Sequence, residues 1–381
     1  IVFGDWSSDV CSSDLNSATK ALRNFWKNMI KFVQKIKPIG IKFLKMSDSP
    51  SSRRSYSQVF VEKKAANLPK TKEILSKLDG LNVTQIESYK EVFNRKNQNF
   101  ELQKRRPRLI LAIKEPPFIY PFSDFIQEYD KKGYYITLAK NCLYDCSYCY
   151  LRQNDGGDIV LFVNIDEMLE AAEKLPPNSR LSISYDSDIL ALDSIFDVVS
   201  SWIAFAKANP LIKIELRTKC VHIEPILKHF VPDNFQVAFT VLPKEVQKLY
   251  ESRTPSLDKR IEAINTLLSK NIEVMLCVDP LIEIAGDFDS YFRLIEELSA
   301  RIDRKNILFS LGVFRMNDGL FRNIRKKEPK SKLFFRSYIK IEDEVSYDRD
   351  VVDLTLGLLE GQIKDSFTNT KVYKPKFKRG A

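Results

Sequence analysis

From Tyr134 onward, short apolar runs alternate with stretches of helical periodicity. The runs "YYITLA", "RLSISY", "IKIELRT", "FQVAFTV", "IEVMLCVDP" and "NILFSLGVF" predict six strands, being rich in β-branched and aromatic residues. Between them lie "DEMLEAAEKL", "DSIFDVVSSWIAFAKANP", "IEPILKHF", "PKEVQKLYES", "SLDKRIEAINTLLSK" and "FDSYFRLIEELSARI", each predicting a helix. Asp166 is a candidate cap or first-turn acid of the first helix, Pro176 and Pro177 end it, and Pro210 stops the second. Regular alternation of this kind predicts parallel strands joined by right-handed crossovers. An open doubly wound sheet and a barrel both fit, although six units fall short of eight. In either architecture, chemistry gathers beyond the C-terminal ends of the strands.

Upstream, "SQVFVEKKAANLPKTKEILSKL", "LNVTQIESY" and "RPRLILAIKE" predict a smaller α/β lead-in. The expected organisation is an N-terminal α/β domain over 56–125, a catalytic domain over 126–320 and an extension with a basic tail over 321–381. Residues 1–15 resemble translated adapter read-through, and 16–55 read as a basic and polar arm. Met46 is the expected natural start.

Composition narrows the class. The chain has 381 residues, 44% hydrophobic and 29% charged, as in ordinary globular proteins. It contains no apolar run of 18 residues, so no membrane span is expected. Six cysteines, unevenly placed, argue against a disulfide framework and for a reducing cytoplasm. The net charge of +10 is concentrated at the ends: residues 16–45 carry eight lysines and arginines and no acid. With two histidines in the whole chain, histidine acid–base chemistry has little material.

Three cysteines lie in "NCLYDCSYCYL", spaced C-x3-C-x2-C just beyond the first predicted strand of the series. Four ligands would close a tetrahedral zinc site, and the next candidates, Cys220 and His222, are some seventy residues away. Three thiolates on a four-iron, four-sulfur cluster instead leave one iron open to a further ligand. A zinc-stabilised, non-catalytic nucleic-acid-binding protein is the alternative of a different class.

The three-cysteine spacing is similar to that of radical S-adenosylmethionine enzymes. Together with "SYDSDILALD", "LRTKCVHIEPILK" and "YESRTPSLDKRIEAINTL", it resembles the spore photoproduct lyase family, over residues from about 56 to about 302. That family repairs a methylene-bridged thymine dimer in DNA. The resemblance implies a partial (β/α)6 radical-SAM barrel behind a small N-terminal α/β domain. It also implies a 4Fe-4S cluster on Cys142, Cys146 and Cys149, and S-adenosyl-L-methionine cleaved reductively to a 5′-deoxyadenosyl radical. Tyr148 would lie against the cofactor's adenine, Ser187 would contact the cofactor and Lys219 would pair with its carboxylate. Thr240 stands where the family has a serine, and Tyr150 corresponds to a tyrosine near the reacting radical. The family's hydrogen-donor cysteine aligns with Tyr185, which leaves Cys220 and Cys277, both near strand ends, as other donors. DNA is the implied substrate, RNA or a peptide the alternatives within the radical class, and a flavodoxin or ferredoxin the implied reductant. Basic residues in "RNIRKKEPKSK" are candidates for phosphate contacts.

Overall fold

The computed structural model describes residues 56–374, apart from 79, 96, 123–131, 155 and 303–306. The N-terminal arm, the suspected start at Met46 and the end of the basic tail lie outside these. The lead-in supplies β1 (Val59–Glu62), α1 (Pro69–Lys77), β2 (Val83–Ile86) and β3 (Leu109–Ala112). The three strands pair in parallel, with β1 between β2 and β3.

The chain then forms β4 (Ile119–Pro121), β5 (Gly133–Ile136), β6 (Ala139–Lys140), β7 (Asp145–Cys146) and β8 (Ile159–Phe162). Here the structure corrects the expected boundary at 125. β8 pairs in parallel with β3, and β6 pairs antiparallel with β8, so the lead-in sheet takes two strands from beyond that boundary. No period of two marks β8, because all four of its residues are buried. The described residues belong to one compact unit.

The six expected strands all form, as β5, β9 (Ser179–Ser182), β10 (Ile212–Thr218), β11 (Phe235–Thr240), β13 (Val274–Leu281) and β14 (Ile307–Val313). They lie side by side in that order and every pairing is parallel. A short β12 (Glu251–Ser252) pairs antiparallel with β7 instead. Antiparallel β4 borders β5 at one edge, and β18 (Lys371–Tyr373) borders β14 at the other. The sheet is a partial barrel with an open seam, which selects between the two architectures the alternation allowed.

The helices cover one face of this sheet. On β10, Ile212, Ile214 and Leu216 join the apolar core, while Lys213, Glu215 and Arg217 alternate onto the other face. That inner face is polar and internally paired: Arg180 donates to Glu215 at 2.8 Å and to Gln236 at 3.0 Å. One layer on, Arg217 reaches Asp279 at 3.4 Å.

α2 (Ile165–Glu173) forms as expected. The single helix expected over 193–210 is instead two, α3 (Ile189–Phe196) and α4 (Val199–Ala208), bent by 105°. Asp197 between them takes a left-handed φ of 51°. The cause is Asp193, whose carboxylate accepts from the N–H groups of Val198 and Val199 and so starts α4 afresh. Among the described residues, no single helix is long and apolar enough to cross a membrane.

α5 (Lys244–Tyr250), α6 (Leu257–Ser269) and α7 (Asp289–Arg301) complete the expected series. The extension forms β15 (Arg315–Asn317), α8 (Asp318–Lys327), β16 (Ile339–Ile341), β17 (Glu344–Ser346) and α9 (Arg349–Ser366). Of these, β15, β17 and β16 make a small antiparallel sheet.

Candidate cluster and cofactor site

The cysteine loop leaves β6 through Asn141, which holds a left-handed φ of 64°. Its buried side-chain amide donates to the carbonyls of Gly156 and Asp158, closing the base of the loop. Lys104 reaches in from the lead-in and donates to the carbonyls of Cys142 and Tyr144, at 2.7 and 3.2 Å. Pairing of β7 with β12 sets Cys146 opposite Glu251. Cys149 donates its N–H to the Cys146 carbonyl at 3.1 Å. The loop is thus held from three sides before any ligand binds.

The three sequence-predicted ligands come together electrostatically: Cys142 and Cys149 each act on the thiol of Cys146. Burial pushes the Cys142 thiol up to about 11, with Asp188 adding to it and Lys104 opposing. Metal binding reverses this, because a ligating thiol is deprotonated. Among the described residues, no three His, Cys, Asp or Glu side chains are grouped to hold a single metal ion. Three soft thiolates in a preformed loop suit an iron–sulfur cluster.

The expected cofactor residues converge beside that loop. Ser187 is buried and its hydroxyl has no hydrogen-bond partner. A buried hydroxyl is rarely left unpaired, so this orphan fits a ligand that brings its own polar groups. Lys219 follows β10 and Thr240 ends β11, on the edge where ligands of such sheets gather. The Lys219 ammonium lies 5.6 Å from the centre of the Tyr148 ring. Burial works against its charge, but Cys146 and Glu251 outweigh this and raise it above its ordinary range.

A second group surrounds Tyr150. Its hydroxyl donates to Asp186 at 2.7 Å and to the Tyr185 carbonyl at 2.9 Å. Thr137 holds the other Asp186 oxygen at 2.6 Å. The Tyr185 and Tyr120 rings each stack on Tyr135.

The two more distant thiols separate. Cys277 pairs in register with Thr240 and alternates onto the inner barrel face beside Ala238 and Met275. Cys220 packs into the apolar core, next to the Tyr144 hydroxyl. Glu224 pairs with His222 at 2.9 Å, and Arg253 donates to the carbonyl of Lys104, the residue that anchors the cysteine loop.

Sequence reasoning missed Glu251, Arg260, Asp188 and Asp186. Asp188 caps α3 through the Ala191 N–H and also accepts from Thr218 and from the Lys219 N–H. Glu251 accepts from Tyr148 and Arg260. Both Glu251 and Arg260 stand in "YESRTPSLDKRIEAINTL", a stretch that had carried the resemblance with no role attached to either of them.

The family model described as "Spore photoproduct lyase" matches residues 55–343. The spore photoproduct lyase of Bacillus subtilis (strain 168) is 28% identical over 289 residues, covering 72% of this chain and 83% of that one. A solved spore photoproduct lyase complexed with dinucleoside spore photoproduct superposes with a TM-score of 0.75 at 21% identity. It covers 85% of this chain and 100% of that one. A doubly substituted lyase with bound AdoMet and dinucleoside spore photoproduct gives 0.74 at 21% identity, covering 83% and 98%. The partial barrel, the site on its C-terminal edge and the span of the family match agree, and the chain belongs to the spore photoproduct lyase family.

Proposed function

We propose that this protein is a radical S-adenosylmethionine lyase that reverses a spore-photoproduct-type thymine lesion in DNA. The observation that carries this is the three-thiol loop beside Lys219, with the partnerless Ser187 hydroxyl next to Asp188, which acts on Cys142. Cys142, Cys146 and Cys149 would hold a 4Fe-4S cluster; Tyr148, Ser187, Lys219 and Thr240 would hold S-adenosylmethionine. When bound, the two supply a 5′-deoxyadenosyl radical that takes hydrogen from the substrate.

The chain's own residues supply position and environment. Lys219 presents a compact charge to a carboxylate, and the Ser187 hydroxyl offers one donor and spare acceptor capacity. The inner face is already neutralised by the Arg180–Glu215 and Arg217–Asp279 pairs, so a polar ligand meets fixed dipoles and not bulk water. Tyr150 holds its proton against Asp186 beside the site. Cys277, on the inner face, and Tyr185, stacked on Tyr135, are the two candidates for returning hydrogen to the substrate.

DNA binding fits the extension. α8 buries Phe321 and Ile324 and leaves Arg322, Arg325 and Lys326 exposed at i, i+3 and i+4, on one face. Arg152, just past Cys149, binds both Asp145 of the cysteine loop and Glu328 after α8. Phosphates held on α8 would therefore lie against the loop that carries the thiols, and the lesion must leave the base stack to enter the barrel. A low-potential electron carrier such as a flavodoxin or ferredoxin, in a reducing cytoplasm, completes the reading.

The test is anaerobic reconstitution with iron and sulfide, followed by reductant, S-adenosylmethionine and DNA carrying the lesion. The expected result is a four-iron protein that cleaves the cofactor and restores two thymines. An active, cofactor-cleaving preparation that leaves the lesion intact overturns the substrate, and a colourless zinc protein overturns the class.

A further inference from the structure

Glu251 is fully buried in its side chain, as is Arg260. Its two carboxylate oxygens face different ways. Oε2 accepts from Arg260 at 2.5 Å and from the Thr254 hydroxyl at 3.2 Å, both part of the scaffold. Oε1 accepts from the Tyr148 hydroxyl and lies 4.0 Å from the Lys219 ammonium. The backbone of Glu251 pairs with Cys146 through the β7–β12 ladder. Arg260 in turn donates to the Thr240 carbonyl at 2.9 Å and to the Pro255 carbonyl at 3.0 Å. One carboxylate and its arginine therefore touch the cysteine loop and three of the four residues expected at the cofactor.

An ion pair serving stability alone does not account for this arrangement. A buried pair is satisfied by Arg260, and replacing such pairs by apolar residues is often neutral. Here the second oxygen is directed away from the pair, at the two side chains with the most orientational freedom in the site. Tyr148 rotates about two bonds and Lys219 about four, so each would lose affinity to disorder before ligand binding.

We propose that Glu251 is a positioning residue that fixes the Tyr148 ring and the Lys219 ammonium together. The adenine-side and carboxylate-side contacts of S-adenosylmethionine would then be set by one buried group anchored on Arg260. This rests on the cofactor reading above and deepens it.

The test uses full-length protein reconstituted anaerobically, titrated with S-adenosylmethionine by equilibrium dialysis without reductant. Wild type is compared with Glu251→Gln and Tyr148→Phe. Each variant is expected to keep wild-type iron content and to bind the cofactor about tenfold more weakly, the cost of one charge-assisted hydrogen bond. Glu251→Gln leaves Arg260 without its charge partner. If it does not fold, Tyr148→Phe decides, because it keeps both the ring and the Glu251–Arg260 pair. Its thermal midpoint is expected to fall much less than that of Glu251→Gln while its affinity falls. Wild-type affinity in a folded variant overturns the positioning role and leaves the enzyme reading standing. A fall in affinity that only follows lost iron also overturns it. Failure of the wild-type protein to bind the cofactor overturns both.

Discussion

The ring of Tyr185 lies 3.9 Å from that of Tyr135, with 24° between their planes. Tyr185 is the residue that the resemblance sets against the family's donor cysteine, and its ring shares this stack with Tyr135. Cys277 instead presents a small thiol on the inner barrel face. A hydrogen returned to the substrate is therefore expected from Cys277. In deuterated buffer, wild-type product should gain deuterium from the exchanged thiol. Cys277→Ala should lose most of that label and of the repaired product while still cleaving the cofactor. Tyr185→Phe, which keeps the stack, should retain both. The reverse pattern assigns the donor to Tyr185.

The exposed face of α8 should act through charge alone. Replacing Arg325 and Lys326 by Ala should weaken duplex binding regardless of sequence. It should also flatten the plot of log affinity against log salt by roughly 0.9 for each phosphate that the variant no longer neutralises. Binding measured by fluorescence anisotropy over a salt series checks this, and an unchanged slope removes α8 from the interface.

Arg152 is about nine-tenths buried, between Asp145 and Glu328. Arg152→Ala strands two carboxylates, and breaking such a pair costs about 3 kcal/mol. Urea unfolding of the anaerobically purified protein should show a loss of stability of that size, read as the midpoint shift multiplied by the slope of the transition. Iron retention should fall with it, because Asp145 belongs to the cysteine loop. Wild-type stability with wild-type iron content would refute the linkage.

Gly312 lies on β14, where a Cβ would stand 2.6 Å from an Asp279 oxygen. Gly312→Ala should displace Asp279 from Arg217 and destabilise the protein by roughly 1–3 kcal/mol, as overpacking does. Thermal unfolding measures the loss. The double variant Gly312→Ala/Asp279→Ala should recover part of it, and a double variant no more stable than the single one refutes the clash.

By itself the sequence determined the strand and helix series of the barrel and the position of its reactive loop. Both are local signals: six apolar runs at regular spacing, and three thiols within eight residues. It did not determine that β8 joins the lead-in sheet, since a strand buried on both faces shows no period. Nor did it show the break at Asp197, because the Asp193 carboxylate competes with the helix backbone only once both helices are placed. Ser187 and Lys219 could be named from their motifs, but the orphaned hydroxyl and the raised lysine exist only in the folded surroundings. Glu251 is the clearest case: in the chain it is about a hundred residues from Tyr148, and the fold makes it the acceptor of that hydroxyl. Tertiary structure decided such pairings because burial forces each polar group to find a partner, and the partner is set by strand register and not by nearness in sequence.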